Sequence, residues 1–457
     1  MEKTTIGIPS GADEIITALR SSGYDAYVVG GCVRDSLLGK EPHDWDICTS
    51  ATPDEMREVF SARRVYDTGV KHGTLTMRAD DGVAYEVTTF RTEGTYTDNR
   101  HPDSVSFVRS LQDDLARRDF TVNAMAYSKE NGLVDYYRGK DDLVAGLVRC
   151  VGDPDARLQE DALRVLRALR FASVYGFAIE EQTAEAIHRN AHLLQNISSE
   201  RIREELCKFL AGKGVLNVLL GYSDVMATII PELAPCIGFE QNNSYHQYNV
   251  YDHIAHAVAS YEGSDTAINV ALLLHDIAKP RCYYENETGG HFGGHGVKSA
   301  EVAKDVTARL KFDNKTRDAI VELVLYHDSA IAATQKAVRR WLNKIGEERF
   351  RQLLEVQTAD TMAHVEVVHA SRIAQREAIE QVLSEVLAEN QCFTMKDLAV
   401  NGYDIMTELG LQEGRQVGDV LKYLLDRVIA GEVSNERDAL LLECARGYNS
   451  EILISSQ

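Results

Sequence analysis

Asp44 and Asp46 stand two residues apart in DWDIC, a short way after the Gly30-Gly31 pair of VVGGCVRD. In a strand, positions i and i+2 share a face, so both carboxylates would point the same way. Glycines at such a turn let backbone N–H groups approach a phosphate closely. Two like charges facing that turn are costly unless a cation lies between them. Mg²⁺ suits the position, because it takes one or two carboxylates plus substrate phosphates, and two such ions can clamp the attacking and leaving oxygens of phosphoryl transfer. The plain alternative for DxD alone is a surface turn with capping aspartates. A third carboxylate weighs against it. In VAYEVTTF, Glu86 falls on the polar side of an alternating pattern with Val83, Tyr85 and Val87, which predicts a strand presenting Glu86 on its polar face.

Cationic groups follow. DDLARRDFTVNAMAY brings Asp114, Arg117, Arg118 and Asp119 into one stretch, spaced to cluster near the start of a helix. Paired arginines suit a polyphosphate, since each guanidinium can donate two parallel hydrogen bonds; surface salt bridging is the alternative. From Asp153 to Phe177, the apolar residues Leu158, Leu163, Leu166, Leu169 and Phe171 recur at roughly helical spacing, with no glycine or proline between Pro154 and Gly176. One helix is predicted, with Asp161 and Arg164 at i, i+3 on its polar side, where an ordinary salt bridge is the default reading.

From about residue 245 the chemistry changes to His253, His275-Asp276, His291, His295, His327 and Asp360, on or beside helices. A His-Asp pair in an apolar helix is poor core material unless paired or metal-bound. One buried histidine is usually a satisfied core residue; six or more polar residues recurring this way are not.

The elements that position these groups are legible in outline. Ala26 to Val29 reads as a buried strand that Gly30-Gly31 turns into an amphipathic segment, Cys32 to Leu38. Helices are expected over Ala12 to Arg20 and Pro53 to Ala62, and a hairpin strand over Thr68 to Arg78 leads to Glu86. Thr92 to Phe107 is polar, turn-rich and unperiodic, which predicts a mobile loop. Ser198-Ser199 reads as an N-cap before ERIREEL, and Gly402, Gly410, Gly414 and Gly418 fit helix ends in the last segment.

The 457 residues allow about three domains, and 44% hydrophobic content is ample for packed cores. The sequence has no apolar run of membrane-spanning length and no charged-then-apolar leader, so a cytoplasmic protein without membrane contact is expected. Eight scattered cysteines without a CxxC argue against a disulfide framework or a zinc ribbon. A net charge of −21 requires any RNA to be held by a local basic surface.

Taken together, GGxVRD…DxD (Gly30, Gly31, Val33, Arg34, Asp35, Asp44, Asp46) and the strand Glu86 resemble the nucleotidyltransferase superfamily, specifically the class II tRNA CCA-adding enzymes and bacterial poly(A) polymerases. His72 to Thr74, HGT, is closer to the CCA-adding branch. The resemblance implies an α+β fold, with a small mixed β-sheet in the nucleotidyltransferase head (1–150), then all-α neck (151–215), HD (216–380) and tail (381–457) domains. It implies Mg²⁺ on Asp44 and Asp46, with Glu86 helping to activate the 3′-hydroxyl. Gly30, Gly31, Arg34, Arg117, Arg118, Asp119 and Asn123 would contact the triphosphate and ribose. EDxxRxxRxxRFA matches the family's nucleotide-choosing motif, with Asp161, Arg164 and Arg167 on its positions. A carboxylate plus a guanidinium complements the amine and ring nitrogen shared by cytosine and adenine, and mismatches uracil and guanine. Arg201 and Glu205 match the last neck motif, with a bracing role. The 92–107 segment resembles the loop used in switching from C to A addition, and the tail resembles segments that contact tRNA backbone. His253, His275, Asp276 and Asp360 resemble the HD phosphohydrolase core, and His295 and His327 the extra ligands of two-metal members, implying a divalent transition metal. The expected activity is template-independent CCA addition to tRNA from CTP and ATP, with CC-adding, A-adding, poly(A)-adding, HD-phosphohydrolase and purely RNA-binding readings left open.

Overall fold

The computed structural model describes residues 5–94, 104–388 and 394–447. The chain divides into two compact units. The first runs to Ile237 with Glu262–Thr266 and Val306–Asp313, and the second takes in Gly238–Tyr261, Ala267–Asp305 and the chain from Asn314. None of the described helices is long and apolar enough to cross a membrane.

The first unit is built on strands β1 (Ala26–Val29), β2 (Ile47–Thr49), β3 (Val65–Gly69), β4 (Thr74–Arg78) and β5 (Ala84–Thr89), the short pair β6 (Arg91–Glu93) and β7 (Val105–Phe107), and β8 (Ala126–Ser128) and β9 (Gly132–Val134). Seven of them form one mixed sheet in the order β3-β4-β5-β2-β1-β8-β9. Within this sheet, among the described residues, only the β2–β5 pairing is parallel. Every side chain of β1 is buried, as its apolar run requires, whereas Glu86 is exposed between buried Tyr85 and Val87. The Pro53–Val59 helix, shorter than expected, starts on a capping box in which Thr52 and Glu55 satisfy each other's backbone N–H groups.

Two sequence expectations fail here. Thr92 to Phe107 is not all loop: its ends pair as β6 and β7, with Arg91 opposite Phe107, and the ladder continues as Gly94 N–H donates to the Ser104 carbonyl at 2.8 Å. Residues 95–103 lie outside the described residues. The helix expected over 153–177 is two helices, Pro154–Glu160 and Leu163–Tyr175, separated by Asp161 in an extended conformation (φ −132°, ψ 102°). Asp161 Oδ1 accepts the Leu163 N–H at 3.1 Å. A short carboxylate competing with the helix for backbone donors breaks the run, although no proline or glycine marks the place.

The second unit is helical apart from the Tyr284–Asn286/Gly289–His291 hairpin. Its last helices, Gly402–Leu409, Arg415–Ile429 and Arg437–Gly447, close over Ile405, Val420, Leu424 and Leu440. Of the four punctuating glycines, Gly410 ends a helix in the left-handed region and Gly402 and Gly414 stand at helix starts, but Gly418 lies inside Arg415–Ile429.

Candidate functional site

At the end of β1, Gly30 takes φ 80° and ψ −126° and swings the chain into the Gly31–Leu37 helix. A side chain is strained in that region, and a Cβ would also lie 2.9 Å from Arg118 Nη1. Glycine therefore lets the Arg118 guanidinium rest against the turn. Asp44 and Asp46 sit three residues and one residue before β2, which begins only at Ile47, so the expected strand does not include the DxD pair. The Val29 N–H nevertheless donates to the Asp46 carbonyl at 3.0 Å, continuing the ladder. Because Ile47 stands opposite Val87, Asp46 and Glu86 occupy the positions just before paired residues of adjacent strands. The Asp46 carboxyl is open to the cavity, yet its pKa is raised, chiefly by burial and further by the negative charges of Glu86 and Asp44, while Arg118 opposes the shift. Asp44 and Asp46 are the carboxylates in the cavity that suit a hard divalent cation, and Glu86 adds to the negative field on Asp46.

The turn and the two aspartates line a cavity of about 910 Å³, together with Arg34, Arg118, Asp119, Asn123 and Arg167. Asp119 fixes the cavity floor. Its Oδ1 accepts Asn123 Nδ2 at 3.0 Å, and its Oδ2 accepts Arg167 Nε at 2.9 Å and Nη2 at 2.6 Å. Burial alone would raise the Asp119 pKa, but Arg167 and Asn123 outweigh it and hold the carboxyl well below the usual range. Arg34 donates to Asn123 Oδ1 at 2.5 Å and grips Asp35 through two nitrogens, with its guanidinium 5.1 Å from the Phe171 ring and 4.9 Å from the Tyr175 ring. Arg118 donates to Asp114 at 3.3 Å, whereas its buried Nε has no hydrogen-bond partner. A guanidinium so placed has donors to spare for an anion entering the cavity.

Four sequence candidates, Glu86, Arg117, Asp161 and Arg164, are not among the residues that line this cavity. Arg117 ends the Leu111–Ala116 helix, so the charged cluster lies at a helix end rather than a start. It holds Asp114 at 2.9 Å and Glu93, on β6, at 3.1 Å. Asp161 pairs with Arg201 at 3.1 Å rather than with Arg164. Arg164 is buried, donating to Glu160 at 2.6 Å and to the carbonyls of Arg157 at 2.9 Å and Arg117 at 3.2 Å. Glu205 takes Arg170 at 3.0 Å instead of Arg201, and Ser198 is an N-cap by backbone only. Arg170, Tyr175 and Lys208, which the motifs do not single out, also line the cavity, as does Phe171, which the helical spacing assigns to the core. Arg167, Arg170 and Phe171, then Tyr175, follow i, i+3, i+4 spacing on one helix, and that signal was available.

In the second unit, His253 comes from Val250–Ala259, His275 and Asp276 follow Thr266–Leu274, His295 opens His295–Arg309, His327 follows Asn314–Tyr326, and Asp360 lies in Gln335–Met362. Their ligand atoms converge in two groups, His253-His275-Asp276-Asp360 and Asp276-His295-His327, which share Asp276. The distances include His253 Nε2 to Asp360 Oδ1, 2.8 Å; His275 Nε2 to Asp276 Oδ2, 3.2 Å; and His295 Nε2 to Asp276 Oδ1, 3.3 Å. The Nδ1 atoms of His275, His295 and His327 lie 2.7, 2.8 and 2.7 Å from the carbonyls of Leu272, Phe292 and Val324. Carbonyls only accept, so each Nδ1 carries a proton and each Nε2 is turned toward the carboxylates. His295 Nε2 and His327 Nε2 face each other at 3.1 Å, and the buried His275 Nε2 and Asp276 Oδ1 have no well-aligned hydrogen bond, while Asp276 Oδ2 is met by an ammonium group. Unmet inward-facing acceptors around a shared carboxylate fit a pair of divalent cations. Lys279, 2.7 Å from Asp276, adds a fixed positive charge. His291 stands apart, in the hairpin, bonded to Thr288 and Asn286.

Three family models match the chain: the poly A polymerase head domain over residues 26–149, the probable RNA and SrmB-binding site of polymerase A over 176–237, and a tRNA nucleotidyltransferase domain 2 over 296–444. The chain is 33% identical over 430 residues to the CCA-adding enzyme of Limosilactobacillus reuteri, covering 94% of each chain, and 36% identical over 440 residues to that of Geobacillus thermodenitrificans, covering 94% of this chain and 96% of the relative. Its fold resembles the crystal structure of the Bacillus stearothermophilus CCA-adding enzyme in complex with CTP (TM-score 0.75, 30% identity, 96% of this chain and 97% of that chain). The Thermotoga maritima CCA-adding enzyme complexed with tRNA, at 19% identity and TM-score 0.61, shares the fold.

Proposed function

This chain belongs to the CCA-adding enzymes, and from that membership we propose how its own residues perform the transfer. The enzyme adds CCA to the 3′ end of tRNA from CTP and ATP, without a nucleic-acid template and with release of pyrophosphate. Nucleotidyltransferases of this kind use divalent metal ions. The observation that supports our site assignment most is the single cavity in which Asp44 and Asp46 face the Gly30-Gly31 turn and Arg118.

Asp44 and Asp46 would hold Mg²⁺, which when bound supplies Lewis-acid activation and neutralises phosphate charge. Glu86 helps draw the proton from the RNA 3′-hydroxyl, whose oxygen attacks the α-phosphorus in line while the bond to pyrophosphate breaks. The unpartnered Nε of Arg118 and the backbone at Gly30 and Gly31 receive the triphosphate. Arg34, Asp119 and Asn123, tied to one another and to Arg167, hold the ribose end of the cavity in place, and Arg117 braces Asp114 beneath Arg118. Asp161 and Arg164 read the base edge once a nucleotide draws Asp161 from Arg201 and Arg164 from Glu160. The cavity's concentration of arginines answers the chain's net charge of −21, because RNA and nucleotide meet a local basic surface. The division into head (1–150), neck (151–215), HD (216–380) and tail (381–457), with the tail on tRNA backbone, and a cytoplasmic location belong to the same reading.

The test is to incubate the protein with tRNA lacking its 3′ end and each nucleotide alone or in pairs, then sequence the products. CC with CTP alone and CCA with both support the reading; CC only, A only or a run of A would each replace it.

The histidine-aspartate cluster supports a second reading, a hydrolytic site for phosphate esters. His253, His275, Asp276 and Asp360 would hold one divalent transition metal ion and Asp276, His295 and His327 a second, as imidazole-rich donors favour. Elemental analysis together with phosphatase and phosphodiesterase assays tests it.

A further inference from the structure

The cavity at the histidine-aspartate cluster, about 750 Å³, does not end at Asp360. A second space of about 420 Å³ shares His327, Asp328, Asp360 and Arg372 with it and continues to Arg376. Arg372 and Arg376 are one turn apart on the His369–Ala388 helix, so both reach the same space. Gln375, between them in sequence, donates to the Ile331 carbonyl at 2.9 Å, and Gln357 donates to the His327 and Ser329 carbonyls at 2.8 and 2.9 Å, fixing the far wall.

Arg376 is costly where it stands. Its Nε and Nη1 are buried without a hydrogen-bond partner. Burial pushes its pKa down to about 10 although the nearby Asp360 carboxylate opposes the shift, and Arg372 adds a smaller repulsion. A guanidinium with two buried, unmet donors beside a second guanidinium does not serve the stability of the fold. The pair suits an incoming anion that a guanidinium can grip with two parallel hydrogen bonds. At the other end of the same space, the cluster and Lys279 already provide for the charge of one phosphate.

We propose that Arg372 and Arg376 form a subsite for a second phosphate, so that this site takes compounds in which the phosphate at the cluster is joined through oxygen to another phosphate group. This rests on the hydrolytic reading of the cluster. Water would add to the phosphorus at the cluster, the P–O bond to the bridging oxygen would break, and the second phosphate would leave held by the two arginines, the proton of the water passing to solvent or to the leaving oxygen.

The probes are methylenebisphosphonate, an analogue of diphosphate whose bridging carbon cannot be hydrolysed, and methylphosphonate. Each is titrated calorimetrically into the full-length protein carrying Asp44→Ala and Asp46→Ala, which serves as the parent here so that the nucleotide cavity has no metal carboxylates to draw the probes. The parent should bind the bisphosphonate at least tenfold more tightly than the monophosphonate. Arg376→Gln and Arg372→Gln should remove most of that ratio while leaving monophosphonate affinity and bound metal unchanged, and Arg376→Lys should retain part of it. A parent ratio near one, a ratio that survives both glutamine variants, or equal weakening of both probes overturns the proposal. If Arg376→Gln fails to fold, Arg376→Lys and Arg372→Gln decide by the same ratio. Absence of metal in the parent with an Arg376-dependent ratio would reject the hydrolytic reading and keep the subsite; bound metal with a ratio near one would do the reverse.

Discussion

The carboxylate of Asp161 meets Arg201, forty positions along the chain, with Oδ2 3.1 Å from Nη2, while Arg164, three positions away, turns to Glu160 at 2.6 Å. The two side chains expected to read the base therefore have separate partners, and each partner becomes a handle on nucleotide choice. Arg164→Ala should weaken the preference for CTP and ATP over UTP and GTP. Arg201→Ala, by releasing Asp161, should shift that preference by about tenfold, the scale of one charged hydrogen bond. Single-turnover rates with the four nucleotides check both. Unchanged discrimination would leave two structural ion pairs.

Asp46→Ala should slow nucleotide addition at least about 100-fold, as expected for loss of a group acting on transition-state charge. Its side chain is open to the cavity and makes no core, so the unfolding free energy should change by no more than about 0.5 kcal/mol. Asp44→Ala should behave alike. More than a few per cent of the parent rate in single-turnover assays would sink the metal assignment.

Gly30→Ala tests the turn. The new methyl group meets both a positive φ and the Arg118 guanidinium, so the variant should lose about 1–3 kcal/mol of stability and bind CTP more weakly. Urea unfolding with and without CTP separates the two effects. A variant as stable as the parent would mean that the turn relaxes without cost.

The double change His275→Ala with Asp276→Ala should strip bound transition metal, read by elemental analysis, and any phosphatase or phosphodiesterase activity. CCA addition should survive, because the nucleotide cavity and the cluster lie in different compact units. Joint loss of both activities would indicate a folding defect.

Replacing residues 95–103 with a short Gly/Ser turn should preserve two C additions and abolish the terminal A. The β6–β7 ladder and the Glu93–Arg117 pair would remain to hold the base of the segment against the head. Completion of CCA at the parent rate would reduce the segment to a connector.

The sequence by itself determined the elements whose signals are local. Four consecutive apolar residues were enough to bury β1, and alternation placed Glu86 outward between Tyr85 and Val87, because strand geometry depends only on neighbours two apart. Residue type was also sufficient to single out Asp44, Asp46 and the histidine-aspartate set, since few other reasons exist to gather hard or imidazole donors. Tertiary structure decided what depends on partners far along the chain. Whether Asp161 continues a helix or breaks it turns on the competition between the helical backbone and a carboxylate that can cap Leu163 and meet Arg201. The ends of the 92–107 segment are polar and unperiodic, yet they pair because each strand supplies the other's hydrogen bonds. The sharing of Asp276 between two histidine groups, and the meeting of Arg376 with Asp360 across one cavity, exist only once six separate segments have packed.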